Sequence, residues 1–207
     1  MPTDNTSTHI PKQKRGIQTR AAILDAGERL FSRDGYHATS TKKIAREAGT
    51  SVGSYYNYFP DKKALLIEVY QQHVTKVHGM VLDTLSAADF GNPAASGSEL
   101  TRLIIDHAVR LHTLSADFHK EIEMLRYSDP DIQALAAQQE QRVVEGLASL
   151  LEPHRESLRV DDLQAASLVV VSAVEAVVHS LKMFEAPMED ERIIDALADM
   201  IHSFLFA

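Results

Sequence analysis

Apolar residues recur at three-to-four spacing along most of this chain. Between residues 18 and 34 they fall at Ala22, Ile23, Ala26, Leu30 and Phe31, the stripe of an amphipathic helix that Gly35 closes. Two short segments follow. In 41–48, Ile44, Ala45 and Ala48 face inward and Lys42 and Lys43 outward, with Ser40 or Thr41 as the cap and Gly49 as the left-handed stop. In 51–56, Ser51 caps and Tyr55 returns to the core. Pro60–Asp61 opens a longer helix, whose Ala64, Leu65, Leu66, Val69, Val77, Val81 and Leu85 hold the period to about Ala88. The stretch 89–98 (DFGNPAASGS) reads as a loop. Further helices are predicted over 99–114, 116–127, 131–151, 161–184 and 190–206, with Asp129–Pro130 as a cap and first-turn proline, and with Pro153 and Pro187 as breaks. There is no period-two alternation and no repeat. The pattern therefore predicts an all-α chain of about nine helices, a small three-helix unit followed by a larger helical body.

The spacing of the two short segments has a further consequence. A small residue at Ala45 lets two helices cross closely, Gly49 makes the turn, and Tyr55, six positions on, docks the second helix. That is a helix-turn-helix, a motif that sets its second helix into the DNA major groove. The run Thr41, Ile44–Ala45, Ala48–Gly49, Ser51–Val52–Gly53, Tyr56, Tyr58–Phe59, Lys62 and Ala64–Leu65 resembles the DNA-binding domain of the tetracycline-repressor (TetR) family of bacterial transcription regulators. The resemblance covers roughly residues 17–66, and Thr50 departs from the valine more usual there. It implies phosphate contacts at Thr41, Tyr56, Tyr58 and Lys62. In this docking mode the N-terminal residues of the second helix, Ser51, Val52, Gly53 and Ser54, lie nearest the base edges. Glycine permits close backbone approach, serine hydroxyls read either base class, and valine methyls suit a thymine methyl. Lys42 points outward from the preceding helix, within reach of a base edge or phosphate.

The charge changes the picture next. A net charge of −8 over 207 residues suits a nucleic-acid binder poorly. Residues 1–63, however, hold 11 Lys/Arg against 6 Asp/Glu, a net +5, whereas residues 64–207 hold 10 against 23, a net −13. A basic head on an acidic body is the expected reading. We divide the chain into a flexible basic arm (1–17, with Lys12, Lys14 and Arg15), a helix-turn-helix domain (18–63) and a helical effector-binding and dimerisation domain (64–207). The arm reads equally as a minor-groove or phosphate contact and as a solvated tail. No signal peptide and no run of about 18 apolar residues is recognised, so a cytoplasmic protein without a membrane partner is expected.

The last two segments, 161–184 and 190–206, argue for a homodimer. The stretch Leu163–Phe184 is apolar on nearly every side and must be covered all round. Ala166, Ser172, Ala173, Ala176 and Ser180 admit a close backbone, and the final helix offers Ile193, Ile194, Leu197, Ile201, Phe204 and Leu205. A two-fold four-helix bundle fits this surface, as the family resemblance also implies, and would set two heads on palindromic half-sites. An intrachain core is the competing account.

Candidate chemistry is sparse. With no cysteine, no HExxH, no phosphate-cradling glycine loop and no triad spacing, no catalytic residue, metal or cofactor is expected. His107, His112 and His119 are five and seven apart, not the four of a helical metal pair. His119/Glu123 reads as a surface pair. Glu175/His179 interrupts an apolar helix and reads as a satisfied polar spot at the dimer seam or an anchor in a ligand pocket, with a catalytic or metal role as the remaining alternative. The pocket candidates are His107, Leu111, Phe118, Met124, Tyr127, Glu175, His179 and Met183, a mostly apolar set suited to a mostly apolar effector. The expected function is a homodimeric repressor released from operator DNA by a small molecule. The alternatives are an all-helical enzyme or metal-binding protein carrying a helix-turn-helix head, a protein-interaction module with a basic head, and a single-strand stacker using the tyrosines of 36–58.

Overall fold

A computed structural model describes residues 13–87, 101, 102, 105, 108, 109, 116–183 and 189–206; the side chains of 76–87, 116, 182 and 183 lie outside the description. Among the described residues the chain is all-α. The helices are α1 (Lys14–Asp34), α2 (Thr41–Glu47), α3 (Val52–Tyr56), α4 (Lys62–Ala87), α5 (Ala116–Arg126), α6 (Pro130–Leu151), α7 (Leu163–Met183) and α8 (Asp190–Leu205), with a 3-10 segment over Glu152–Ser157. Residues 101, 102, 105, 108 and 109 are also helical, within the segment 99–114 read as a helix.

Local chemistry fixes most boundaries. Ser40 caps α2 by accepting from the Lys43 amide (3.3 Å), and Ser51 caps α3 through the Ser54 amide (3.0 Å). Gly49 takes φ +66°, the left-handed conformation that ends α2. Asp61 accepts from the Ala64 amide at 2.7 Å, Asp129 from the Asp131 and Ile132 amides, and Asp162 from the Ala165 amide at 3.0 Å. One expectation needs correction. Helix α1 begins at Lys14, so Lys14–Ile17 belong to it and not to a flexible arm. A glycine in a first turn costs little when the amides beyond it are bonded; here the Ile17 amide reaches the Gln13 carbonyl at 3.0 Å. Lys12 lies outside the described residues. The α-helix before Pro153 ends at Leu151 as expected, and the proline itself enters a 3-10 turn near its start, where no amide is needed.

Two compact units form. The first gathers the chain up to Lys76 with Asp117–Ser128, and the second gathers Val77–Ala116 with Asp129–Ala207. The first is thus larger than 18–63, because α5 turns a stripe of Phe118, Ile122 and Leu125 inward, each at most 3% exposed. Its other buried residues include Ile23, Leu30, Phe31, Ile44, Tyr55, Phe59, Leu65 and Leu66. Arg20 of α1 and Glu68 of α4 pair at 2.5 Å, and the same guanidinium lies 5.1 Å from the Phe59 ring centroid.

The second unit is centred on α7. Ala166, Val170, Val174 and Val178 form one core with Ala148 and Leu151 of α6 and with Ile194, Leu197, Ile201 and Leu205 of α8. Within one chain α7 is not buried all round: Leu168 and Val169 are 47% and 52% exposed. Its buried stripe faces α6, α8 and the helical residues around Ile105, and Leu168 and Val169 lie away from that stripe. The segment Leu163–Leu181 is long and apolar enough to cross a membrane, with mean hydropathy 1.5. Its buried stripe nevertheless packs into the core shared with α6 and α8, as a protein core helix does.

Candidate nucleic-acid interface

The site grows from the capped ends of α2 and α3. Both Ser40 and Ser51 have extended backbones that turn their hydroxyls onto the helix amides behind them. Tyr55 anchors α3 from inside: its ring is fully buried, 5.8 Å from Phe59, and its hydroxyl donates to the Asp61 carbonyl at 2.9 Å. Burial pushes that phenol upward, so it remains a donor at any ordinary pH. With the inward side fixed, Ser51, Val52, Gly53 and Tyr56 stand exposed, and Lys42 projects from α2. Thr41 Oγ1 and Tyr56 OH are 3.2 Å apart, which joins the start of α2 to the end of α3 on this face. Ser54 and Tyr58 are half-buried at its edge.

Lys62 is placed differently from the expectation. Its ammonium donates inward to the Tyr36 carbonyl (2.5 Å) and the Thr39 carbonyl (2.8 Å) and lies 4.0 Å from the Tyr36 ring centroid. Carbonyls left open after α1 outcompete solvent for a lysine that sits beside them. Burial lowers its proton affinity, and the carboxylate of Glu121 opposes that shift. Glu121, 8% exposed, accepts from the Tyr36 amide at 2.5 Å. Sequence reasoning missed this residue, although a carboxylate in the register of Phe118, Ile122 and Leu125 was a visible signal.

The predicted effector residues that the structure describes fall in both units. Phe118 is fully buried in the first unit, its ring 5.9 Å from His73. Met124 and Tyr127 are 56% and 86% exposed, which removes them from an enclosed pocket. At about 100° per residue, Met124 falls on the opposite side of α5 from Ile122, and Tyr127 lies in the turn after that helix. Glu175 and His179 are half-buried one turn apart on α7. His107, Leu111 and the Met183 side chain lie outside the described residues. A surface cleft of about 530 Å³ opens elsewhere, beside Ser149, Glu152, Arg155 and Asp162, and none of the predicted effector residues lines it.

Two family models match the chain. Residues 23–69 match the tetR family of bacterial regulatory proteins, and residues 98–205 match the tetracyclin repressor-like C-terminal domain. The chain belongs to the TetR family. The first match spans α2, α3 and their caps, so the family's helix-turn-helix is the exposed face described above. Among similar TetR-type proteins, the fatty acid metabolism regulator protein of Bacillus subtilis is 29% identical over 96 residues, 46% of each chain. The transcriptional repressor KstR of Rhodococcus jostii is 32% identical over 74 residues, 36% of this chain and 32% of its own. The matched stretches span 37%, 63% and 46% of three such curated relatives. A crystal structure of a transcriptional regulator from Saccharomonospora viridis in complex with choline has the same fold, with TM-score 0.71, 18% identity, and coverage of 92% of this chain and 98% of that one.

Proposed function

We propose that this TetR-family chain is a homodimeric, cytoplasmic transcription regulator that binds a palindromic DNA operator and represses until a small molecule releases it. The carrying observation is the exposed face of α2 and α3, where Lys42, Ser51, Val52, Gly53 and Tyr56 project from helices that Tyr55 and two serine caps hold in place. Ser51, Val52, Gly53 and Ser54 meet base edges, with Lys42 on a base edge or phosphate. Thr41, Tyr56 and Tyr58 hold the backbone. Lys62 acts from inside, as a clamp on the turn that leads into α2. The dimer forms through the exposed apolar stripes of α7 (Leu168, Val169, Ser172, Ala176) and α8 (Ala196, Met200, Phe204), whose uncovered area a second copy buries.

The effector enters the second unit, with Glu175 and His179 as the polar anchor. The names of relatives support a metabolite-responsive regulator: one is a fatty acid metabolism regulator and a fold neighbour holds choline. An apolar chain with one polar end suits an apolar helix that carries one polar pair.

The experiment is selection of random duplex DNA by the purified protein at two salt concentrations. Recovery of a palindrome whose binding survives the higher salt supports the reading. Binding without enrichment that vanishes with salt means phosphate electrostatics alone and defeats it. In the same assay Tyr56→Phe, which removes one hydroxyl, is expected to weaken every selected sequence evenly by about five- to ten-fold.

A further inference from the structure

Two helices whose chain passes into the second unit close on one turn of the first. Helix α4, with Lys62 in its first turn, runs past Lys76 into the second unit. Helix α5, with Glu121 at its middle, is followed at once by Asp129–Pro130, the start of α6 in that unit. Their charged groups meet at Tyr36 from opposite sides of its peptide groups. Lys62 donates to the Tyr36 and Thr39 carbonyls, and Glu121 accepts from the Tyr36 amide at 2.5 Å. A Cβ added at Gly35 would stand 3.4 Å from Glu121 Oε2, so the carboxylate fits close against the turn backbone. Thr39, 2% exposed, is bonded back to Gly35 O at 2.8 Å, and the next residue, Ser40, caps α2. The turn therefore leaves α2 no slack: its direction follows from where the Tyr36 peptide is held.

We propose that Glu121 is a positioning residue for operator recognition, its carboxylate fixing the Tyr36 amide and so the angle at which α2 and α3 are presented. This rests on the DNA-binding reading above and names a residue through which α5 acts on it. A buried carboxylate is costly without partners, and here it has a backbone donor and a nearby ammonium. The apolar contacts of Phe118, Ile122 and Leu125 hold α5 against this unit but specify no angle at the turn. A directional charge-assisted bond does. A displacement of α5 along its axis breaks that bond before it uncovers the stripe.

The test uses the full-length protein, a duplex that the wild type has selected from a random pool, and a scrambled duplex of equal length. Glu121→Ala is expected to lower affinity for the selected duplex about ten-fold, the loss of one bond to a charged group. Affinity for the scrambled duplex should stay within about two-fold, because phosphate attraction needs no exact angle. Exchange of the Tyr36 amide should quicken about ten-fold. Glu121→Gln, which keeps an oxygen at the same reach, should recover most of both losses. Ile122→Ala thins the packing of the same helix without touching the amide, and well below its unfolding temperature it should keep the selected-to-scrambled ratio. If Glu121→Ala does not fold, Glu121→Asp, with its carboxylate one carbon short, should show the same loss in part. A ratio unchanged in the folded variant while Tyr36 exchange quickens overturns the inference, and so does equal loss in Ile122→Ala. Failure of the wild type to select any duplex defeats the DNA-binding reading itself, and this inference with it.

Discussion

Glycines separate structural need from functional need one residue at a time. Gly49 has φ +66°, and Gly27 faces Leu65, whose Cδ2 would stand 2.7 Å from an added Cβ. Gly53 has neither reason: its nearest neighbour would be Ser51 Oγ at 3.9 Å, and it sits in the first turn of a short helix, where glycine costs only part of the about 1 kcal/mol it costs in a helix interior. Gly53→Ala is therefore expected to leave the melting temperature unchanged or a few degrees higher while lowering operator affinity about ten-fold or more, since a methyl at the groove costs several contacts. Equal affinity in a binding titration would reduce Gly53 to a tolerated residue. Lys62 gives a pH prediction. Its folded proton affinity is lowered, so the unfolded chain keeps that proton to higher pH than the folded chain. The site's contribution to stability thus rises as pH climbs toward the ordinary value of 10.5. The melting temperature of wild type minus that of Lys62→Met should grow as pH rises toward 10.5. A difference that shrinks would mean the ammonium is not desolvated.

Elements were legible where side chain and backbone speak locally. The caps Ser40, Ser51, Asp61 and Asp129 bond the amides that their positions in sequence suggest, and Tyr55 is buried where the turn spacing puts it. The start of α1 was not legible, because Gly16 and the basic run around it carry no apolar period. Packing between α1 and α4 gives the prediction at this scale. Gly27→Ala drives a methyl into Leu65, itself fully buried and unable to swing away. The expected net loss is about 1 kcal/mol, overpacking less the gain in helix propensity, seen as a lower urea midpoint at unchanged slope. No loss would mean that the two helices part freely.

At the scale of the whole molecule, the exposed stripes of α7 and α8 are the feature one chain leaves unresolved. Leu168, Val169, Met200 and Phe204 are 38–52% exposed on helices whose other faces form a shared core. Phe204→Glu should convert a dimer to monomer in light scattering and, by removing the second head, lower affinity for a palindromic operator at least about a hundred-fold. A variant that stays dimeric would move the interface elsewhere. The effector residues show the limit of periodicity. Met124 lies on the outer face of α5 because Phe118, Ile122 and Leu125 claim the inner one, and Tyr127, read as part of that helix, stands exposed in the turn that follows it.

The sequence by itself determined the all-α class, the caps, the turn at Gly49 and the family, because each rests on contacts within a few residues or on a contiguous motif. Only the tertiary structure decided that Lys62 turns inward, that α5 joins the first unit, and that Glu121 meets the Tyr36 amide 85 positions away. Those outcomes depend on which buried groups compete for the same donors and carbonyls once distant segments meet. A linear pattern holds no distance between such groups, so the competition is settled only when the chain is folded.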